Sequence, residues 1–281
     1  PTVTYVETAF QNAEVEVAID AVAATPTGAE AAGAPTSRST AVYGDEALGH
    51  TATLPPGERV YIAGQAEQTQ SVVRSTTLTM ESLHETLDYL GLDASDVVQV
   101  KGFMRPMSKA DSVRHEISSF YPDRLAPSIV LTEWEHGSYP IEIEMIAAAD
   151  TSIVPYRTMI SYLTPPGMTE STVFSRVAQV HRGDPVYISG LYGDSSKDAN
   201  GQIRDIFEEM DGLLKEAGSD FRHLSKATYY TTTDAAGEGL GEVRPDYYDP
   251  NRPPAASLSP APGIGREGAV ITIDMIGVRV E

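Results

Sequence analysis

Cysteine is absent from this chain. That one absence removes disulfides, thiolate nucleophiles and Cys-ligated zinc or iron–sulfur centres. Long apolar runs are missing too: no stretch approaches the ~18 residues that a membrane-spanning helix needs. Nor does the N-terminal region join a basic segment to an apolar stretch, as a secretory signal does. A cytoplasmic location with no membrane partner is expected. Basic residues are scarce, 20 Lys and Arg against 40 Asp and Glu, for a net charge of −20. Affinity for nucleic acid rests largely on Lys and Arg neutralising phosphates, and no basic stripe is visible. A nucleic-acid partner is therefore not expected. There is no GxGxxG on a strand–helix unit and no phosphate loop. The polar stretch 194–198 lacks the ligand pattern of a calcium loop. No HExxH-like spacing occurs, although Trp134-Glu135-His136 gathers a carboxylate and an imidazole in one loop. Neither a cofactor nor a metal is expected.

What is present is repetition. Val17-Ala-Ile-Asp-Ala-Val-Ala23, Ile141-Glu-Ile-Glu-Met-Ile-Ala147 and Ile271-Thr-Ile-Asp-Met-Ile-Gly277 resemble one another, spaced by roughly one small domain. Each alternates apolar and polar residues as a half-buried strand does. Upstream, Val60-Tyr-Ile-Ala-Gly64 matches Val186-Tyr-Ile-Ser-Gly190, with a Gly where a turn or a close backbone approach is needed. A helix follows in each copy. Met80, Leu83, Leu87 and Leu90 recur at helical spacing before Gly91, and Ile203, Ile206, Met210, Leu213 and Leu214 before Gly218. Strands are predicted at 97–103 and 224–233, and second helices at 109–120 and, more weakly, 239–247. The order predicts an α+β fold of repeated modules, each a mixed sheet with two helices on one face. Residues 1–23 are read as the closing hairpin of an incomplete first module, with strands at 2–8 and 15–23. Residues 24–40 form a linker, 41–149 the first full module, 150–170 a second linker and 171–281 the second full module.

The order and spacing of these segments resemble the RidA (YjgF) family, whose chorismate-mutase-like modules assemble in threes. The resemblance covers most of the chain. It implies a pseudo-trimer with small-molecule sites in clefts between modules. It also implies hydrolysis of reactive enamines and imines derived from amino acids to 2-oxo acids and ammonia. RNA cleavage, also attached to the family's name, is disfavoured by the charge of −20. In the family, an Arg in a Pro-Ala-Arg-Ser/Thr motif holds the substrate carboxylate and a Glu on the last strand positions water. Counting back from the last strand puts Pro127, Ala256 and Val3 at the Arg position, so the guanidinium is missing from every copy. The Glu falls on Glu142, with Thr272 and Ala18 in the other copies. A family Tyr is matched by His50 and loosely by Phe174, and a family Asn by His115 and loosely by Gly241.

A carboxylate is best held by a bidentate guanidinium, which Pro, Ala and Val cannot replace. The expected chemistry is therefore deaminase- or hydrolase-like but altered from the family's. His50, His115 and Glu142 are the candidate acid/base groups. Arg124, Arg252, Gln65 and Ser128 are the candidate substrate-binding residues. A non-catalytic ligand-binding or assembly protein is one alternative. A tautomerase-like activity of Pro1, whose secondary amine could act as a base, is another. A second chain that completes the first module, as a separate subunit or a precursor fragment, is the expected partner beside a small-molecule substrate.

Overall fold

The computed structural model describes residues 2–10, 14–23, 36–38, 48–49, 51–55, 57–135, 137–149 and 158–280. Pro1, His50, His136 and most of the first linker lie outside them. Three short strands come first: β1 (Thr36–Arg38), β2 (Leu48–Gly49) and β3 (Thr51–Thr53), with β1 and β3 paired antiparallel. Then follow β4 (Glu58–Gln65), α1 (Val72–Tyr89), β5 (Val97–Met104), α2 (Ala110–Ser118), β6 (Ala126–Glu133) and β7 (Ile141–Ala149). The second half has β8 (Ile160–Leu163), β9 (Val177–Val180), β10 (Pro185–Ile188), α3 (Ala199–Glu216), β11 (Leu224–Thr231), α4 (Asp234–Val243), β12 (Ala255–Pro260) and β13 (Ile271–Val278).

The repetition read in the sequence is a repetition of topology. The first module's sheet runs β6-β5-β7-β4 and the second's β12-β11-β13-β10. In both, the second and third strands in chain order are parallel and every other pairing is antiparallel. The closing strands β7 and β13 are thus central, each flanked on both sides. Their alternation explains why. Ile141, Ile143 and Met145 face the helices with 0 % exposure, and so do Ile271 and Ile273. The other face of β7 carries Glu142 and Glu144 toward the second module. Helix starts and stops follow local chemistry. Ser71 and Asp198 accept from backbone N–H groups at 3.4 and 2.8 Å as N-caps. Gly91 and Gly218, just beyond the helices, take φ of 71° and 75°, where a Cβ is disfavoured.

Two expectations change. The predicted strands at 2–8 and 15–23 join no ladder. Residues 2–10 instead run across loops of both modules with Thr4, Val6, Thr8 and Phe10 turned inward. Glu7 N–H donates to Gly263 O at 2.8 Å, and Glu133 N–H donates to Thr8 Oγ1 at 2.8 Å. The second linker is only partly a linker, because residues 160–163 form β8. The β8–β9 hairpin adds to the first module's sheet rather than to its own, giving the order β2-β6-β5-β7-β4-β9-β8.

A buried polar cluster fastens that hairpin. Gln179 Nε2 donates to Glu58 Oε2 at 2.7 Å, and His181 Nδ1 lies 2.7 Å from the same oxygen. His181 Nε2 is 2.7 Å from Ser161 Oγ. Glu58→Ala would leave the buried Gln179 and His181 without their acceptor. We expect it to lower unfolding free energy by about 1–3 kcal/mol, read by urea titration. Leu83→Ala, in the fully buried core under α1, should cost about 2–5 kcal/mol in the same measurement.

Candidate active site

The two modules meet along β4 and β12, with the start of β9 between them. Ala63 N–H donates to Arg176 O at 2.9 Å, Ser175 bridges to Ala255, and Ser175 N–H donates to Pro254 O at 2.9 Å. This seam places Arg176. A cavity of about 590 Å³ opens beside it. The first module contributes Gln65, Tyr139 and Glu142, and the second Phe174, Arg176, Arg244 and Ser257, among others.

Glu142 sits on the wall of the cavity, its carboxyl lying against Gly64. A Cβ built on Gly64 would stand 2.0 Å from Glu142 Oε1, so only glycine leaves this space. Gly64 N–H donates to Ser257 Oγ at 3.1 Å, and Ser257 Oγ donates to Glu144 Oε2 at 2.6 Å. Lys226 Nζ lies 2.7 Å from Glu144 Oε1, closing a buried ion pair between modules. Ser257 is therefore occupied as a connector and is not a free nucleophile. Burial, with the neighbouring Glu144 charge second, pushes Glu142 up to about 8, against smaller opposing effects of Ser257 and Arg176. At neutral pH the carboxyl holds its proton and can give it away.

Two guanidiniums line the same cavity from the second module, and Arg176 is the one whose charge acts on Glu142. Arg176 stacks over the Phe174 ring at 4.8 Å and donates through Nε to Thr169 O at 3.1 Å. Arg244 lies over the Tyr229 ring at 5.1 Å and donates through Nε to Leu240 O at 3.0 Å. Both are oriented by an Nε–H and a ring face, and Arg244 is held further by a side-chain hydrogen bond with Tyr229. Glu67 and Glu85 are exposed at the rim on the opposite, first-module side. The cavity thus has a cationic wall, an acidic rim and a protonated carboxyl between them.

The expected site residues divide. Glu142 and Gln65 line the cavity, Gln65 held by a bond from its Nε2 to Thr86 Oγ1 at 2.9 Å and another from Ser82 Oγ at 2.9 Å. His115 is exposed on α2 and does not line it. Ser128 lies on β6 opposite Gln99, also outside it. Arg124 donates to Ala94 O at 3.4 Å, and Arg252 lies near Tyr162; neither reaches the cavity. His50 falls outside the described residues. The grouping of Glu142 with His115 fails for a geometric reason. The cavity takes its closing-strand acid from one module and its opposing wall from the next, so residues equivalent to Phe174 and Ala256, not those of Glu142's own module, face it.

The strand register also moves the vacated Arg position. Gln99 and Lys226 are equivalent, each opposite the Ile that follows the closing-strand acids, Ile146 and Ile276. Gln99 faces Ser128 and Lys226 faces Ala255. Ile129, not Pro127, is therefore the counterpart of Ala256. The count slipped because the connection to the closing strand differs in length between modules. The guanidinium is still missing, and Ala256 itself lines the cavity. Arg176 and Arg244 went unread because nothing along the chain links them to Glu142. Pairing each module's Glu with the next module's basic residues is the signal that would find them.

Solved structures like this chain match part of it and most of themselves. An uncharacterized protein from Pseudomonas aeruginosa is 25% identical, covering 36% of this chain and 88% of its own, with a TM-score of 0.33. A member of the YjgF protein family from Neisseria meningitidis is 23% identical over 43% and 96%, TM-score 0.33. A Rid-family protein of Yersinia pestis is 19% identical over 41% and 98%, TM-score 0.37. No family model and no curated protein matches. The strand topology makes the molecule a duplicated α+β module protein with its cavity on the seam, and the chain is similar in fold, over about two fifths of its length, to structures of the RidA/YjgF family.

Gly64→Ala is expected to turn the Glu142 carboxyl out of place while the fold survives, since the clash is with a flexible side-chain end. Unchanged circular dichroism with loss of ligand affinity would bear this out. Glu142→Gln tests the raised pKa by stability. A carboxyl whose folded pKa exceeds its unfolded value, here about 8 against 4.5, favours folding below pH 4.5 and loses that contribution as pH rises toward 8. The variant should gain stability relative to the parent across that window, measured as urea midpoints from pH 4 to 9.

Proposed function

We propose that this protein is an enzyme of hydrolase or deaminase type that acts on a small imine, enamine or related molecule in the inter-module cavity. The observation that carries this reading is a cavity lined by a buried carboxyl, Glu142, pushed up to about 8, together with two oriented guanidiniums. Arg176 and Arg244 bind the anionic group of the substrate from the second module's wall. Glu142 gives its proton to the substrate nitrogen as water adds to the adjacent carbon. Cleavage of the C–N bond then leaves a carbonyl compound and ammonia, and Glu142 recovers a proton from the attacking water. The relocated guanidiniums take over the anchoring that the Arg missing at Ala256 would have provided, which is why the chemistry need not be lost with that residue.

Ammonia release from freshly generated imines tests the reading. Glu142→Gln should lower the rate about 100-fold or more, the usual reach of a positioned acid, with binding retained. Arg176→Ala should raise KM more than it lowers kcat. The rate should be level below pH 8 and fall above it as Glu142 loses its proton. Thermal stabilisation by ligand with no turnover would instead favour a binding protein. The Pro1 alternative rests on a residue outside the described ones and predicts activity that survives Glu142→Gln.

A further inference from the structure

Three neighbouring strands of the first sheet bring a hydroxyl, an imidazole and a carboxylate into line. Ser161 stands opposite Gln179 in the β8–β9 pairing, and Gln179 stands opposite Val60 in the β9–β4 pairing. Opposed residues share a face of a sheet, and so do residues two apart on one strand. Ser161, His181 and Glu58 therefore project from the same side. His181 Nε2 is 2.7 Å from Ser161 Oγ, and its Nδ1 is 2.7 Å from Glu58 Oε2. A carboxylate only accepts, so Nδ1 carries the proton of the neutral ring and Nε2 is left as an acceptor. The Ser161 hydroxyl donates to it.

Burial is graded along this line. The side chains of Glu58 and His181 are 5 % and 1 % exposed. Ser161 is half-buried on β8, the last strand of its sheet among the described residues. A nucleophile needs such an open end on a buried base, and a fastener does not. Glu58 Oε1 and Gln179 Oε1 are buried with no hydrogen-bond partner among the described residues. A cluster that only held the hairpin would gain by satisfying them. A carboxylate with an unused oxygen is best compensated when the ring beside it turns positive, as it does on taking a proton. The ladder supplies a further group. His181 N–H donates to Met159 O at 2.9 Å, so antiparallel alternation pairs Ser161 with Gln179 and turns the Tyr162 N–H outward along the edge. The N–H of the residue after a nucleophile is a recurrent oxyanion donor.

We propose that Ser161 is the nucleophile of a second catalytic site, with His181 as its base and Glu58 as the residue that positions the ring, acting on small carboxylic esters. Ser161 Oγ bonds to the ester carbonyl carbon and passes its proton to His181 Nε2. The carbonyl oxygen, now negative, lies against the Tyr162 N–H. The C–O bond to the alcohol breaks, and the alcohol leaves with the proton from His181. Water then attacks the acyl-serine by the same route, giving the carboxylic acid and free Ser161. Leu163, two residues along on the same face and packed against the first module's core, gives the acyl group an apolar flank. None of the three residues lines the cavity at Glu142, so this site does not depend on the function proposed for that cavity.

A fluorophosphonate probe applied to the whole chain, with the modified peptide located by mass spectrometry, tests it. The expected result is one label, on Ser161, and none with Ser161→Ala. Turnover of p-nitrophenyl butyrate should disappear with the same substitution. Glu58→Gln keeps the shape of the side chain and removes its charge. It should lower the maximal labelling rate about 100-fold without moving the probe concentration that gives half that rate. The parent unfolded in urea should not react, which separates an activated hydroxyl from an ordinary one even where a variant folds poorly. No label, a label on another residue, labelling that survives in urea, or a rate indifferent to Glu58→Gln overturns the proposal.

Discussion

The ion pair between Glu144 and Lys226 is the contact on which the arrangement turns. Two charges removed from water are costly unless attraction and hydrogen bonds compensate them. Here one carboxylate oxygen faces Lys226 and the other accepts from Ser257, while Lys226 also donates to Thr228. The pairing is satisfied only when β7 of one module and β11 and β12 of the other are in register. It therefore selects a single docking of two sheets that could slide if the seam were apolar. The same carboxylate is one of the two effects that keep the Glu142 proton in place. Assembly and acidity share one residue.

Much of the fold was legible because strand and helix periodicities are local. The alternation in 141–147 and 271–277, the leucine spacing before Gly91 and the Gly after each Val-Tyr-Ile run all mark elements that the structure contains. What was not legible depends on contacts between distant segments. Residues 15–23 carry the same alternation as β7, but a strand needs neighbours as well as a pattern. Residues 160–163 sit among prolines and read as linker, because their partner β9 takes its own place on the edge of β4, about a hundred residues earlier.

The site was legible by halves for the same reason. Glu142 and Gln65 sit on repeated strand segments and could be placed by alignment of the copies. Their opposing wall could not, since Arg176 and Arg244 occupy positions that the repeats do not share. A resemblance carries over residues at matched positions and is silent about a charge supplied from elsewhere. The loss of an arginine at one position is therefore a statement about that position, and the cavity's charge must be counted over both modules.

The exchange of the β8–β9 hairpin has a consequence for how the chain comes apart. Its strands extend the first module's sheet, while the chain that follows them builds the second module. Neither module can melt without taking a paired edge from the other, so the boundary drawn by topology is not a boundary of cooperativity. The duplicated protein is expected to unfold as one unit, and a cut between the hairpin and the second module's own strands would separate segments that pair across it.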